Sequence, residues 1–378
     1  MTEPILETRS VVFYYDNNTK PSLNAVSLTI KKGVKTAILG ANGAGKSTLF
    51  YHLNGVCRPS KGEVLYRGES MSYRKKALKA LRSNVAVVLQ NPDDQIFGQT
   101  VIADASYGPK NMGLPKEEVD ERARIALEQV GLWELRDRNS LQLSYGQRKR
   151  LSLAGALAMG PDILILDEPT AGLDPQMAPE VMELAEQLHH SGTDIVISTH
   201  DVDLAYMWAD EIHVLRGGER LYSGQQEGFY SDPSLTYSAG LLQPSMFQIN
   251  QTVSEMRGVD PRPYPQTEPQ LIAKTVKGPR GRLTVVPLTS EVTRDRVEEI
   301  SKEVASVGIY GVRARKATFE DGFPVDFIFG GFESCMSQIL VGEDSALICD
   351  SECLDLIEAK IAKMSDFGDP IDFTVLSS

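Results

Sequence analysis

Three stretches of the chain carry residue types at spacings that suit phosphate chemistry: GANGAGKST at 40–48, ILILDEP at 163–169 and DIVISTHD at 194–201. The first fits G-x-x-x-x-G-K-[ST], a loop whose backbone amides converge on phosphate oxygens. Gly40, Gly43 and Gly45 permit that approach without Cβ clashes, and Ala41, Asn42 and Ala44 complete the turn. Lys46 is expected to reach the β- and γ-phosphates of ATP. Ser47 is expected to ligate Mg²⁺, and Thr48 continues into a helix whose N-terminal partial charge favours the anion. In the second stretch Asp167 can meet the Mg²⁺ shell, and Glu168 is placed to polarise water for in-line attack. His200 follows another apolar run at the same expected sheet edge, where ligands of open α/β sheets collect. Gln90, ending VAVVLQ, offers a neutral amide that can ligate Mg²⁺ or orient water.

These groups need a scaffold, and the pattern around them supplies one. Residues 1–230 read as one α/β unit. VVFYY and VSLTI alternate as antiparallel strands do, beside a short turn at 17–21. KTAILG is an apolar strand running into the glycine loop, and STLFYHLNGV continues as helix. EEVDERARIALEQVGLWEL has apolar residues at helical spacing. ILILD and DIVIST are continuous, β-branched runs of the kind found in buried parallel strands. Residues 231–275 hold six prolines (Pro233, Pro244, Pro261, Pro263, Pro265 and Pro269), which predicts a connector without regular structure. From 276 to 378 a smaller α/β domain is expected. RLTVVPLT and VDFIFGG read as its strands, TRDRVEEISKEVASVG and SECLDLIEAKIAKM as its amphipathic helices.

Composition narrows the class. Of 378 residues, 42% are hydrophobic and 24% charged, as in ordinary soluble domains. No apolar run approaches the roughly 20 residues that cross a bilayer, and MTEPILETRS lacks the layout of a signal peptide. A net charge of −12 argues against a nucleic-acid partner, which would need clustered Lys and Arg. Four cysteines are too few for a disulfide framework and fit a cytosolic location.

LSYGQ at 143–147, just upstream of ILILDEP, resembles the signature motif of ATP-binding-cassette (ABC) transporter ATPases, with Tyr145 where glycine is commonest. The resemblance spans about residues 5–230. It implies a P-loop NTPase fold with a RecA-like core, an antiparallel β subdomain and a helical signature subdomain. It also implies head-to-tail pairing with a second ATPase subunit, in which Ser144 and Gly146 touch the γ-phosphate bound to the partner. By the same resemblance His200 is the switch histidine at the γ-phosphate, Tyr15 the aromatic that stacks on adenine, and Asp174 the end of the AGLD loop facing the other subunit.

A narrower resemblance lies in QNPDDQIFGQTV at 90–101, YGPKNMGL at 107–114 and LAGALAMGPDILILDEPTAGLDP at 153–175. These segments are similar to the cobalt/nickel branch of energy-coupling-factor transporters. That implies an ATPase at the cytoplasmic face of the membrane, working with transmembrane coupling and substrate-binding subunits. Asp93, Asp94, Gln95 and Phe97 become candidates for the transmission surface. Vitamin import is the neighbouring reading; a soluble ABC protein acting on ribosomes or DNA fits less well, because the chain has one cassette and an acidic balance. Residues 276–378 carry no recognised motif. Cys335, Cys349 and Cys353 invite a soft metal site, yet no CxxC pair is present and no histidine follows His213, so buried free thiols are expected.

Overall fold

Continuous apolar segments become the central strands, and alternating ones become a sheet with one open face. The computed structural model describes residues 3–16 and 19–376, so Asn17 and Asn18 of the expected turn lie outside the described residues. The chain divides into two units, one through Pro244 and one from Ser245.

In the first unit the strands are β1 (Pro4–Phe13), β2 (Leu23–Lys31), β3 (Thr36–Leu39), β4 (Lys61–Tyr66), β5 (Glu69–Ser70), β6 (Val85–Val88), β7 (Ile163–Asp167), β8 (Asp194–Thr199), β9 (Glu211–Arg216) and β10 (Glu219–Gln225). One sheet is antiparallel, in the order β2-β1-β4-β5. The other runs β10-β9-β3-β8-β7-β6 and is parallel except for β10. Every residue of β7 and β8 is buried, as a sheet covered on both faces requires. The parallel order brings the carboxyl ends of β3, β7 and β8 side by side, which is what gathers the three chemical stretches. A helical region follows β6. It includes the predicted helix, which runs Lys116–Gln129, and the helix Tyr145–Leu157 that begins in LSYGQ. RecA-like core, antiparallel sheet and helical region together form the P-loop ABC-ATPase fold.

The second unit holds β11 (Leu283–Leu288), β12 (Ser306–Tyr310), β13 (Ser345–Asp350) and β14 (Phe373–Val375), all parallel, in the order β12-β13-β11-β14. One face packs on the helices Arg294–Glu303 and Val312–Asp321 through Val297, Ile300 and Ala314. The other packs on Glu268–Thr275, Gly331–Leu340 and Leu354–Lys363.

Several expectations change. The stretch read as an irregular connector carries the helices Pro233–Ser238, Ser245–Arg257 and Glu268–Thr275. Pro233 and Pro269 sit in first turns, where a missing N–H costs no helical hydrogen bond. The compact boundary also falls at Pro244 rather than in a long linker. VDFIFGG forms no named strand; it meets the sheet edge through the bridge Gly308 to Phe327 and through hydrogen bonds between Asp326 and Val307. The strand is instead Ser306–Tyr310, whose first residues read as the end of a helix in sequence. Cys335, Cys349 and Cys353 are buried in one apolar cluster. Burial pushes the Cys335 and Cys349 thiols up to about 12.

Candidate active site

From Leu39 at the end of β3 the chain turns through the glycine loop into the helix Lys46–Leu53. Gly45 caps that helix in the left-handed region at φ 103°, and a Cβ there would stand 2.9 Å from the Ser22 carbonyl oxygen. A Cβ on Gly40 would stand 2.5 Å from the Leu215 carbonyl oxygen. These two glycines are therefore steric requirements of the loop.

Lys46 Nζ is buried. It donates to Gly40 O at 2.6 Å, lies 3.5 Å from Ala41 O, and pairs with Glu168 Oε1 at 3.2 Å. Glu168 is itself buried and sits at φ 48°, a left-handed conformation that costs a side-chain-bearing residue about 1–3 kcal/mol. His200 Nδ1 lies 3.1 Å from both carboxylate oxygens of Glu168, so one carboxylate is held between an ammonium and an imidazole. The His200 side chain is 55% exposed, which leaves its other edge toward solvent.

A cleft of about 880 Å³ opens beside this pair. Its walls include Tyr15, Asn42, Gly43, Ala44, Gly45, Ser47, Thr48, Gln90 and Glu168. That volume lies in the range of small-ligand and cofactor sites. Tyr15 donates or accepts through its hydroxyl at Thr48 Oγ1, 3.2 Å away, and its ring meets Phe13 edge-on at 5.0 Å. Asp167 ends β7 in register with Ser198 of β8, and its carboxylate accepts a hydrogen bond from Ser198 Oγ. Ser47 and Gln90 line this cleft, whereas Asp167 and His200 are not among its lining residues; a Ser47 hydroxyl, Gln90 amide oxygen and Asp167 carboxylate would together make an oxygen-only donor set. Mg²⁺ is usually bound by one or two carboxylates plus substrate phosphates, and this set has that composition.

Ser144 and Gly146 are not among the residues lining this cleft. Ser144 is exposed and caps its own helix: its Oγ accepts from Gln147 N at 3.2 Å, and Gln147 Oε1 accepts from Ser144 N at 2.9 Å. Gly146 is buried, and a Cβ on it would stand 2.4 Å from Met177 Sδ. Tyr145 reaches Gln90 O with its hydroxyl at 3.4 Å and lays its ring over Gly172. The four candidates for a transmission surface also separate. Phe97 is 70% exposed and Asp94 is exposed, but Gln95 turns inward, accepting from Leu89 N at 2.9 Å and donating to Ser152 O at 3.4 Å. Asp93 is exposed and pairs with Arg148 at 2.8 Å.

Two residues escaped the sequence reading. Ser198 Oγ accepts from Glu168 N at 3.1 Å while donating to Asp167, so one hydroxyl aims two adjacent acids. Ser198→Ala is expected to lower kcat for ATP about tenfold with little change in KM, since losing one buried hydrogen bond costs about 1–3 kcal/mol. Steady-state phosphate release measures both constants, and a parent-like kcat would remove Ser198 from the machinery. The second is Lys149. Its ammonium is buried and donates to Glu168 O at 2.7 Å, Gln90 O at 3.2 Å and Ala171 O at 3.3 Å. Burial pushes it down to about 8, against the pull of the Asp167 and Glu168 carboxylates. The available signal was a basic residue in the helical stripe of Gly146, Leu153 and Ala156.

The ABC transporter family profile matches residues 23–171, from β2 through the glycine loop and signature to the turn after Glu168. The energy-coupling factor transporter ATP-binding protein EcfA of Methanocaldococcus jannaschii is 46% identical over 245 residues, covering 65% of this chain and 88% of that protein. The chain belongs to the ABC transporter ATP-binding proteins. This ABC ATPase is also 34% identical over 357 residues to EcfA2 of Methanospirillum hungatei, covering 92% of this chain and 89% of that one, an alignment that reaches into the second unit. Among solved structures, cbiO1 of Clostridium perfringens, described as part of the ABC transporter complex cbiONQ, matches at TM-score 0.57 and 34% identity. That match covers 68% of this ABC ATPase and all of cbiO1. ATP hydrolysis is thus the activity of this ABC ATPase. Among the described residues no helix is long and apolar enough to cross a membrane.

Proposed function

We propose that this ABC ATPase energises an energy-coupling-factor importer for cobalt or nickel ions. In this reading it works as a head-to-tail dimer with a second ATPase subunit, at the cytoplasmic face of the membrane beside transmembrane coupling and substrate-binding subunits. The observation that carries the motor reading is the carboxylate of Glu168 held between Lys46 and His200 at the glycine loop. The segments 90–101, 107–114 and 153–175 support the metal-ion branch, and the likeness to the EcfA proteins supports the energy-coupling-factor reading.

The chain's own groups account for the step. Bound ATP gives Lys46 a stronger partner in its β- and γ-phosphates, which releases one side of Glu168. Glu168 then takes a proton from water as the water oxygen attacks the γ-phosphorus, and the bond to the β–γ bridging oxygen breaks to leave ADP. His200 holds the carboxylate and presents its exposed edge toward the γ-phosphate. When bound, Mg²⁺ neutralises developing phosphate charge, with Ser47, Gln90 and Asp167 as its protein ligands. Ser144, the exposed helix cap, and the backbone at Gly146 serve the partner's ATP, so the first turn of that helix aims its dipole across the dimer. Met177 would have to swing off Gly146 for that approach.

For the membrane partner, Phe97 and Tyr107 form an exposed aromatic pair with ring centroids 5.8 Å apart, beside Asp93 and Asp94. Exposed aromatics rimmed by charge suit docking of an apolar helix. The test is uptake of labelled cobalt or nickel by cells co-expressing the chain with candidate membrane subunits. Uptake should occur with the parent and fall to background with Lys46→Ala. An assembled complex that hydrolyses ATP yet imports neither ion would overturn the metal reading and direct attention to vitamins.

A further inference from the structure

The second unit carries a cleft of about 620 Å³ at the carboxyl end of β11, between the loop 289–293 and the helix Val312–Asp321. In open parallel sheets, ligands collect beyond the carboxyl ends of strands. The helices that follow β11 and β12, Arg294–Glu303 and Val312–Asp321, lie on the same face of the sheet and wall this cleft.

The walls of this cleft are chemically mixed. Val292, Ala317 and Phe323 supply apolar surface, Arg294 and Arg313 supply guanidinium groups, and Asp321 supplies a carboxylate. Arg294 has no ion pair within 4.0 Å among the described residues; Glu298, its i+4 neighbour, is bonded by Lys302 at 3.0 Å and also feels the Arg294 charge. Arg313 pairs with Glu352 at 2.9 Å, but both side chains are more than half exposed, so water screens the pair and a ligand can displace it. The amides at the start of the Val312–Asp321 helix are already occupied. Asp350 accepts from Arg313 N at 3.0 Å and from Ala314 N at 2.6 Å, which leaves the guanidinium groups as the charged donors beside the hydroxyls of Thr289, Ser290 and Thr293.

We propose that this cleft binds a small carboxylate with an apolar body and a neighbouring ammonium or hydroxyl, the amino acids being the plainest members of that class. The carboxylate meets Arg294 and Arg313, the body lies on Val292, Ala317 and Phe323, and the donor meets Asp321. Asp321 also disfavours a phosphate dianion, because like charges would share a small cleft. Arg forks match carboxylates bidentately, which makes them the strongest contacts available here.

Calorimetric titration of the full chain tests this with each standard protein amino acid, and with norleucine, hexanoate and pentylamine as matched probes. At least one amino acid should bind saturably. Within the matched set, norleucine should bind more tightly than hexanoate, and pentylamine should not bind. Arg294→Ala should weaken the bound acids at least tenfold, with partial recovery in Arg294→Lys. Asp321→Asn should weaken the amino acid, which loses its ammonium partner, and should not weaken hexanoate, which sheds a like-charge repulsion. Basal ATP hydrolysis should match the parent in all three variants, and a parent-like melting profile confirms that the second unit is folded. No saturable heat with any of these compounds overturns the proposal. So does parent-like affinity in Arg294→Ala, or tighter binding of inorganic phosphate than of every carboxylate.

Discussion

Glu168→Gln is expected to lower kcat for ATP hydrolysis by about 10²–10⁴-fold, the usual contribution of a positioned general base. ATP affinity should be retained or rise slightly. The parent carboxylate pairs with Lys46 at 3.2 Å, and a neutral amide frees that ammonium for phosphate. Glutamine keeps the side-chain length and the strained φ of 48°, so the loop after β7 should hold its path. Two readouts separate the roles: phosphate release for turnover, and size-exclusion chromatography with ATP for dimer formation. The variant should accumulate as an ATP-bound dimer. Parent-like turnover would sink the assignment of Glu168, and loss of ATP binding would mean that the substitution damaged the glycine loop instead.

Lys149→Met is expected to lower kcat at least tenfold and also to lower the melting temperature. One ammonium holds three carbonyls from the segments after β6 and β7, including that of Glu168 itself. Methionine fills a similar volume but donates nothing, and each buried acceptor left without a donor costs about 1–3 kcal/mol. Even partial relaxation of the loops leaves a loss of about 2–4 kcal/mol in stability by the same reasoning. The catalytic loss follows from geometry: Gln90 and Glu168 take their positions partly from this contact, and the helix that carries Lys149 is capped by Ser144. KM for ATP should change little, because Lys149 does not line the nucleotide cleft. A variant with lowered stability but parent-like kcat would make Lys149 a purely structural residue.

How much was legible differs between the two units. In the first, chemistry and scaffold were written in the same residues. GANGAGKST needs glycine at Gly40 and Gly45 because the observed backbone leaves no room for a Cβ, so the motif announces its own conformation. ILILD and DIVIST are buried throughout because both faces of their sheet are covered, so their continuous apolar, β-branched runs identified β7 and β8. In the second, local pattern misled. VDFIFGG is as apolar as a strand, yet the ladder goes to Ser306–Tyr310, since pairing with β13 is a non-local choice. The prolines of 231–275 likewise suggested disorder, while two of them occupy first turns, where proline is compatible with helix.

The sequence by itself determined the family, the phosphate loop, the adjacent acids at the end of β7 and the signature motif, because each depends on residues a few positions apart along the chain. Only the tertiary structure decided which side chains meet across strands and helices. Ser198 finds Asp167 through β7–β8 register, Lys149 finds three carbonyls through helix packing, and Gln95 turns inward to Leu89 and Ser152. Likewise Arg294, Arg313 and Asp321 share one cleft only because β11 and β12 are parallel strands whose following helices lie on the same face. Long-range neighbours are set by sheet order and packing, and those are collective properties that no short stretch of sequence carries.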